Sequence, residues 1–208
     1  MNTPTCNRRQ WLVGGAHAAL LATAAWHGGA SATTSATAPP RLPDALASQW
    51  PQARLVGQGR LRFFGLDVYD AHLWADPGLD PADWSRHRLA LALTYWRSLD
   101  GTRIAERSLK EMAALPGYDA AQGPNWLARM NALFPNVGAN DVLVGVHEPA
   151  RGASFWFNGQ PLGEVADPQF SRLFFGIWLA PTTSEPRLRQ ALLAAAGASP
   201  SVASTPAR

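Results

Sequence analysis

The sequence predicts an α+β domain: a mostly antiparallel sheet with a layer of helices packed on one face. Three observations carry this. Strand-like and helix-like segments come in blocks (strands, helices, strands, helices), which is not the strict alternation of repeated βαβ units. Two pairs of strand-like segments are joined by short glycine-containing turns, as antiparallel hairpins require. The stretch Arg88 to Trp96, "RLALALTYW", is apolar on both faces, which suits a central strand covered by helices on one side.

The elements follow in order. Arg54 to Phe64 and Leu66 to Trp74 alternate well enough to pair as a hairpin across Gly65-Leu66-Asp67. After the central strand, Ser98-Leu99-Asp100-Gly101 breaks the pattern, and Thr102 to Leu115 places Ile104, Leu109 and Met112 at helical spacing before Pro116-Gly117. A second helix runs from Pro124 to Phe134 with Trp126, Leu127, Met130 and Leu133 on its apolar positions. Alternation returns in Asp141 to His147, and Ala153 to Val165 reads as a hairpin turning at Asn158-Gly159. Two helices close the domain, Asp167 to Leu179 and Glu185 to Ala195, the latter with Ser184 as N-cap and Pro186 at its first position.

The ends differ from this body. Arg8-Arg9 precede a short apolar run from Val13 to Trp26 and then Ala30-Ser31-Ala32, the basic, apolar and small-x-small order of an export signal over residues 1–32. The arginine pair resembles a twin-arginine signal, and in a bacterium the protein is expected to be exported to the periplasm. The apolar run is short for a bilayer, so no stable membrane span is expected once the signal is cleaved. Residues 33–43 read as a flexible proline-rich linker, 44–195 as the folded domain and 196–208 as a disordered tail. The only cysteine, Cys6, lies before the apolar run, so the remainder can form no disulfide and no cysteine-ligated metal site. Without Arg8 and Arg9 the chain carries 16 basic and 15 acidic residues and no lysine-arginine run, which argues against a nucleic-acid partner.

No phosphate loop, dinucleotide fingerprint or nucleophile elbow is present, and His72, His87 and His147 lack metal-ligand spacing, so neither cofactor nor metal is expected. By parity Asp67 and Asp70 fall on opposite strand faces, which excludes them as an acid/base pair. Arg60 and Arg62 share one face. Either both are solvent-exposed on an edge strand, or one anchors an anion in an apolar cleft, where a guanidinium offers a fork of donors to a carboxylate. Nine tryptophans suit a large aromatic core, with a few available to line an apolar ligand pocket.

Four stretches, "GQGRLRFFGLDVYDAHLW", "LTYWRSLDGTRIAERSLKEM", "LFPNVGANDVLVGVHEPARGASFWFNGQPLGEV" and "FFGIWLAPTTSEPRLRQALL", resemble in the same order the bacterial exported branch of the chalcone-isomerase-like family, over about Leu55 to Leu193. The resemblance implies an open-faced β-sandwich with a ligand cleft between sheet and helices. It also implies either ring closure by an intramolecular lyase, an isomerase, or non-catalytic binding of fatty acids. The substrate-binding arginine of the isomerases corresponds to Arg60 or Arg62, while their threonine falls in Asp70-Ala71-His72 and their tyrosine and asparagine at Ile104 and Glu111. Those replacements remove the hydroxyl groups that ring closure uses. The expectation is therefore a binder of a fatty acid or similar amphipathic carboxylate. Arg60 or Arg62 would meet the head group, assisted by Tyr69, Tyr95 or Arg103. The alternative is a lyase acting on an enone-like substrate, with Tyr95 or Glu106 as its acid.

Overall fold

The computed structural model describes residues 41–197. The signal-like segment 1–32, residues 33–40 of the expected linker and 198–208 of the expected tail lie outside them. Among the described residues six strands form one sheet in the order of the chain, β1 (Arg54–Phe63), β2 (Leu66–Ala75), β3 (Leu89–Tyr95), β4 (Val142–Glu148), β5 (Gly152–Phe157) and β6 (Gln160–Val165). Every neighbouring pair is antiparallel. The helices are α1 (Asp44–Gln49), α2 (Gly101–Ala113), α3 (Gly123–Leu133), α4 (Pro168–Leu179) and α5 (Pro186–Leu192), with a single 3₁₀ turn at Trp84–Arg86. The expected α+β architecture is the observed one.

Alternation decides the layers. Leu89, Leu91, Leu93 and Tyr95 of β3 face the larger core, shared with Phe155 and with Phe170, Phe174 and Trp178 of α4. Ala90 and Ala92 face the other side, where Leu42, Leu46 and Trp50 pack against Trp74, Val144 and Val146. The short α1 therefore covers one end of the face opposite the main helical layer. Leu42, which composition places in a linker, is buried there.

Two helices are fixed by specific polar groups. Asp167 caps α4, its Oδ1 accepting from the backbone N–H of Gln169 and Phe170 at 2.8 and 3.0 Å, while its Oδ2 accepts from Trp126 Nε1 of α3 at 2.8 Å. One carboxylate thus joins two helices. By contrast α5 has no side-chain cap. Glu185 holds the N-cap position, and Ser184, expected there, instead donates its hydroxyl to Glu111 Oε2 at 2.8 Å. The α5 backbone lies directly on β1, where a Cβ at Gly57 would collide with the carbonyl oxygens of Ala191 and Leu192.

The first hairpin departs from simple alternation. Its turn is the two residues Phe64-Gly65, since Phe63 pairs with Leu66, and not the expected Gly65-Leu66-Asp67. Leu61 then pairs with Tyr69 but Arg62 with Asp67, so Val68 is an extra residue in β2. That bulge inverts parity across it. Asp67 and Asp70 consequently share the face of Arg60, contrary to the expected opposite faces.

Candidate functional site

A cavity of about 530 Å³ opens between the sheet and the helical layer. Its floor is β1 to β4, through Leu61, Tyr69, Leu93 and Leu143, and its roof is α4, through Phe174, Ile177 and Trp178. One wall is α2, through Arg103, Ile104, Arg107, Ser108 and Glu111, and the rim is the first hairpin tip. The bulge at Val68 contributes directly, because Val68 and Tyr69 both line the cavity.

The polar groups are few and placed apart. Tyr69 accepts a hydrogen bond from Trp178 Nε1 at 2.9 Å, which leaves its own proton to donate. Tyr95 lies beside it edge-on, with ring centroids 5.8 Å apart, and its hydroxyl has no hydrogen-bond partner among the described residues. Burial pushes both phenols well above the ordinary tyrosine range, so both remain neutral hydroxyls at physiological pH. Arg103 pairs with Asp100 at 3.3 Å and Arg107 with Glu111 at 2.6 Å. Arg97 also lines the cavity. Its Nε is buried without a hydrogen-bond partner, and it makes no ion pair among the described residues.

Of the five residues expected in the site, the structure brings together Tyr69, Tyr95 and Arg103 and places the other two elsewhere. Arg60 and Arg62 project from the opposite face of the sheet. Arg60 Nε and Nη2 donate to Asp70 at 2.6 and 2.9 Å, and its Nη1 donates to Asp67 at 2.8 Å. Arg62 Nε donates to Asp67 at 2.6 Å. Trp96 completes this cluster, its Nε1 donating to Asp70 Oδ2 at 3.1 Å and its ring lying 4.5 Å beneath the Arg60 guanidinium. The physical reason is parity: Leu61 and Phe63, between and beyond the arginines, take the cavity side. Glu106, the other acid considered, is exposed on α2 outside the lining.

Sequence reasoning missed Arg97, although the signal is in the strand itself. Leu89, Leu91, Leu93 and Tyr95 define the cavity face, and position 97 continues the same period of two. Ile104 and Glu111 do line the cavity, so the two positions expected to carry a tyrosine and an asparagine carry an apolar and an anionic group there. The phenols of Tyr69 and Tyr95 supply hydroxyls from other positions.

A family model described as chalcone isomerase-like matches residues 35–194. An uncharacterized protein of Haemophilus influenzae is 30% identical over 138 residues, 66% of this chain and 66% of that protein. Among solved structures, a fatty-acid binding protein of Arabidopsis thaliana superposes with a TM-score of 0.57 at 16% identity, covering 70% of this chain and 89% of its own. At that identity the likeness is one of fold.

Proposed function

The chain belongs to the chalcone isomerase-like family, and from that premise we propose that it is an exported, periplasmic protein that binds a fatty acid or similar amphipathic carboxylate without catalysis. The observation that carries this reading is the apolar cavity with Arg97 at its wall, a cation without an ionic partner among the described residues. A cavity of this size is in the range that holds a small-molecule ligand. Its walls suit a hydrocarbon chain, and a guanidinium with free donors suits the carboxylate. The fold shared with a fatty-acid binding protein supports the reading.

Lipid extraction and native mass spectrometry of purified protein test it, followed by titration with saturated fatty acids. Each methylene buried contributes about 0.8 kcal/mol, so two added carbons should tighten binding by roughly tenfold until the cavity is full. Repeated recovery of empty protein that also ignores added fatty acids would sink the proposal. Dodecanol in place of dodecanoate should bind about 10–100-fold more weakly, the worth of a charge-assisted hydrogen bond.

The second reading, an intramolecular lyase acting on an enone-like substrate, rests on the Tyr95 hydroxyl, an acid at the cavity without a hydrogen-bond partner among the described residues. Loss of chalcone absorbance above the uncatalysed rate, abolished by Tyr95→Phe, would favour it.

A further inference from the structure

Two hairpin tips of the sheet, β1–β2 and β5–β6, share one backbone geometry and differ in what occupies it. Asn158 (φ 49°) and Gly159 (φ 84°) turn the β5–β6 hairpin, and Phe64 (φ 48°) and Gly65 (φ 77°) turn the β1–β2 hairpin. Asparagine suits this left-handed position, and here its side chain serves the fold: Oδ1 accepts from Val142 N–H at 2.8 Å and Nδ2 donates to Asp141 at 2.9 Å. A bulky aromatic does not suit it. Phe64 is 89% exposed and meets the Phe63 ring at 4.5 Å, so the fold recovers little from a residue costly in both conformation and exposure. Its neighbours Phe63 and Leu66 are each 51% exposed. All three line the mouth of the cavity.

Beside this tip stands a cationic stripe. Arg103, Arg107 and Lys110 are spaced i, i+4, i+7 on α2, which puts them on one helix face, and all three are exposed. Arg103 and Arg107 line the same cavity mouth, and the Arg107 guanidinium lies 5.9 Å from the Phe63 ring. Asp100 and Glu111 offset two of the charges, and Lys110 has no ion pair among the described residues. Apolar side chains flanked by cations are the composition that enters the interface of an anionic bilayer.

We propose that the Phe63–Leu66 tip and the α2 stripe dock the domain on an anionic phospholipid membrane, with the cavity mouth facing the lipid. Ligand then passes between bilayer and cavity without crossing water. The proposal rests on the lipid-like reading of the cavity ligand.

A label reporting from one position separates the tip from the apolar run Val13 to Trp26. In full-length protein with Cys6→Ser, an environment-sensitive fluorophore is attached at Leu66→Cys or, as control, at exposed Gln160→Cys on the other tip. Vesicles containing phosphatidylglycerol should blue-shift the label at 66 and not at 160, and phosphatidylcholine vesicles should need about tenfold more lipid. Adding Phe64→Ser should raise the lipid requirement at least about tenfold and slow transfer of dodecanoate from vesicles. Lys110→Ser, outside the cavity lining, should raise the lipid requirement about fivefold with the thermal midpoint and vesicle-free dodecanoate affinity unchanged. Equal shifts at 66 and 160, or indifference to Phe64→Ser, would overturn the proposal. So would a shift that grows with protein concentration in the absence of vesicles, which would assign the tip to a second copy of the chain. A tip that still responds to vesicles in a protein that binds no fatty acid would defeat only the cavity reading.

Discussion

A guanidinium already held in a planar fork by two carboxylates has few donors left for a ligand. Arg60 is in that state, with Nε, Nη1 and Nη2 all engaged by Asp70 and Asp67, and those bonds raise its pKa further. Arg60→Met should therefore leave fatty-acid affinity within about twofold and cost at most about 1 kcal/mol of stability, because the pair is solvent-screened. Arg97→Met should instead weaken binding about 10–100-fold, the loss expected for one charge-assisted contact. Isothermal titration of both variants with one fatty acid separates the two arginines; equal losses would contradict the assignment. His147 supplies a pH dependence of different origin. Its Nε2 faces the Ser85 carbonyl oxygen at 2.9 Å and must donate, so its Nδ1 accepts from Ser171 Oγ at 2.6 Å, which fixes the neutral tautomer. Burial lowers its pKa below the ordinary histidine value of 6.5. A folded-state pKa below the unfolded one means stability is fully present above pH 6.5 and is lost as pH falls through the folded value. Denaturant unfolding from pH 8 to 5 should show this acid-side loss in the parent and a flatter profile in His147→Gln.

At the scale of elements, one inserted residue decides which side chains meet the cavity. Val68 places itself and Tyr69 on the lining and returns Asp67 to the face of Asp70. The strands were legible because alternation and glycine turns are properties of short windows, and the central position of β3 was legible because both its faces are apolar. A bulge is not, since its cost and its compensation lie in the partner strand and in α2 beyond it. The six residues of α1 carry no local signal for a related reason: Leu46, and Trp50 just beyond the helix, gain their burial from Trp74, from Ala90 and Ala92 of β3 and from the valines of β4. Ser184 had the composition of a cap, but tertiary bonding to Glu111 took its hydroxyl. Asp167 gives the clearest energetic test among the elements. Asp167→Ala removes the α4 cap, worth about 1 kcal/mol, and leaves Trp126 Nε1 without its acceptor, worth about 1–3 kcal/mol. A loss of roughly 2–4 kcal/mol in denaturant unfolding is expected, and Asp167→Asn should recover part of it because the amide oxygen can still accept.

Across the whole molecule, the cavity sits where the sheet and the helical layer would otherwise close on each other. Its position follows from residues too small or too far apart to fill the gap: Leu61, Leu93 and Leu143 below, Ile177 above, and Ile104 on the wall. The fold and the cavity-side residues of β3 could be read from the chain, whereas the gap itself depends on the spacing of layers that no local pattern encodes. Such a space lowers stability through absent packing partners, and a ligand that fills it must raise stability by binding only the folded state. At a free concentration of 100 times its Kd, a fatty acid contributes about 2.7 kcal/mol. For a domain of this size that corresponds to a rise in Tm of roughly 5–10 °C. Ile177→Trp offers the discriminating variant, because an indole at that point of α4 occupies the cavity with the protein's own atoms. Scanning calorimetry should find this variant at least as stable as the parent when no ligand is added, and unresponsive to fatty acid. A parent whose Tm ignores saturating fatty acid, or an Ile177→Trp variant that still responds fully, would place the ligand somewhere other than the seam between sheet and helices.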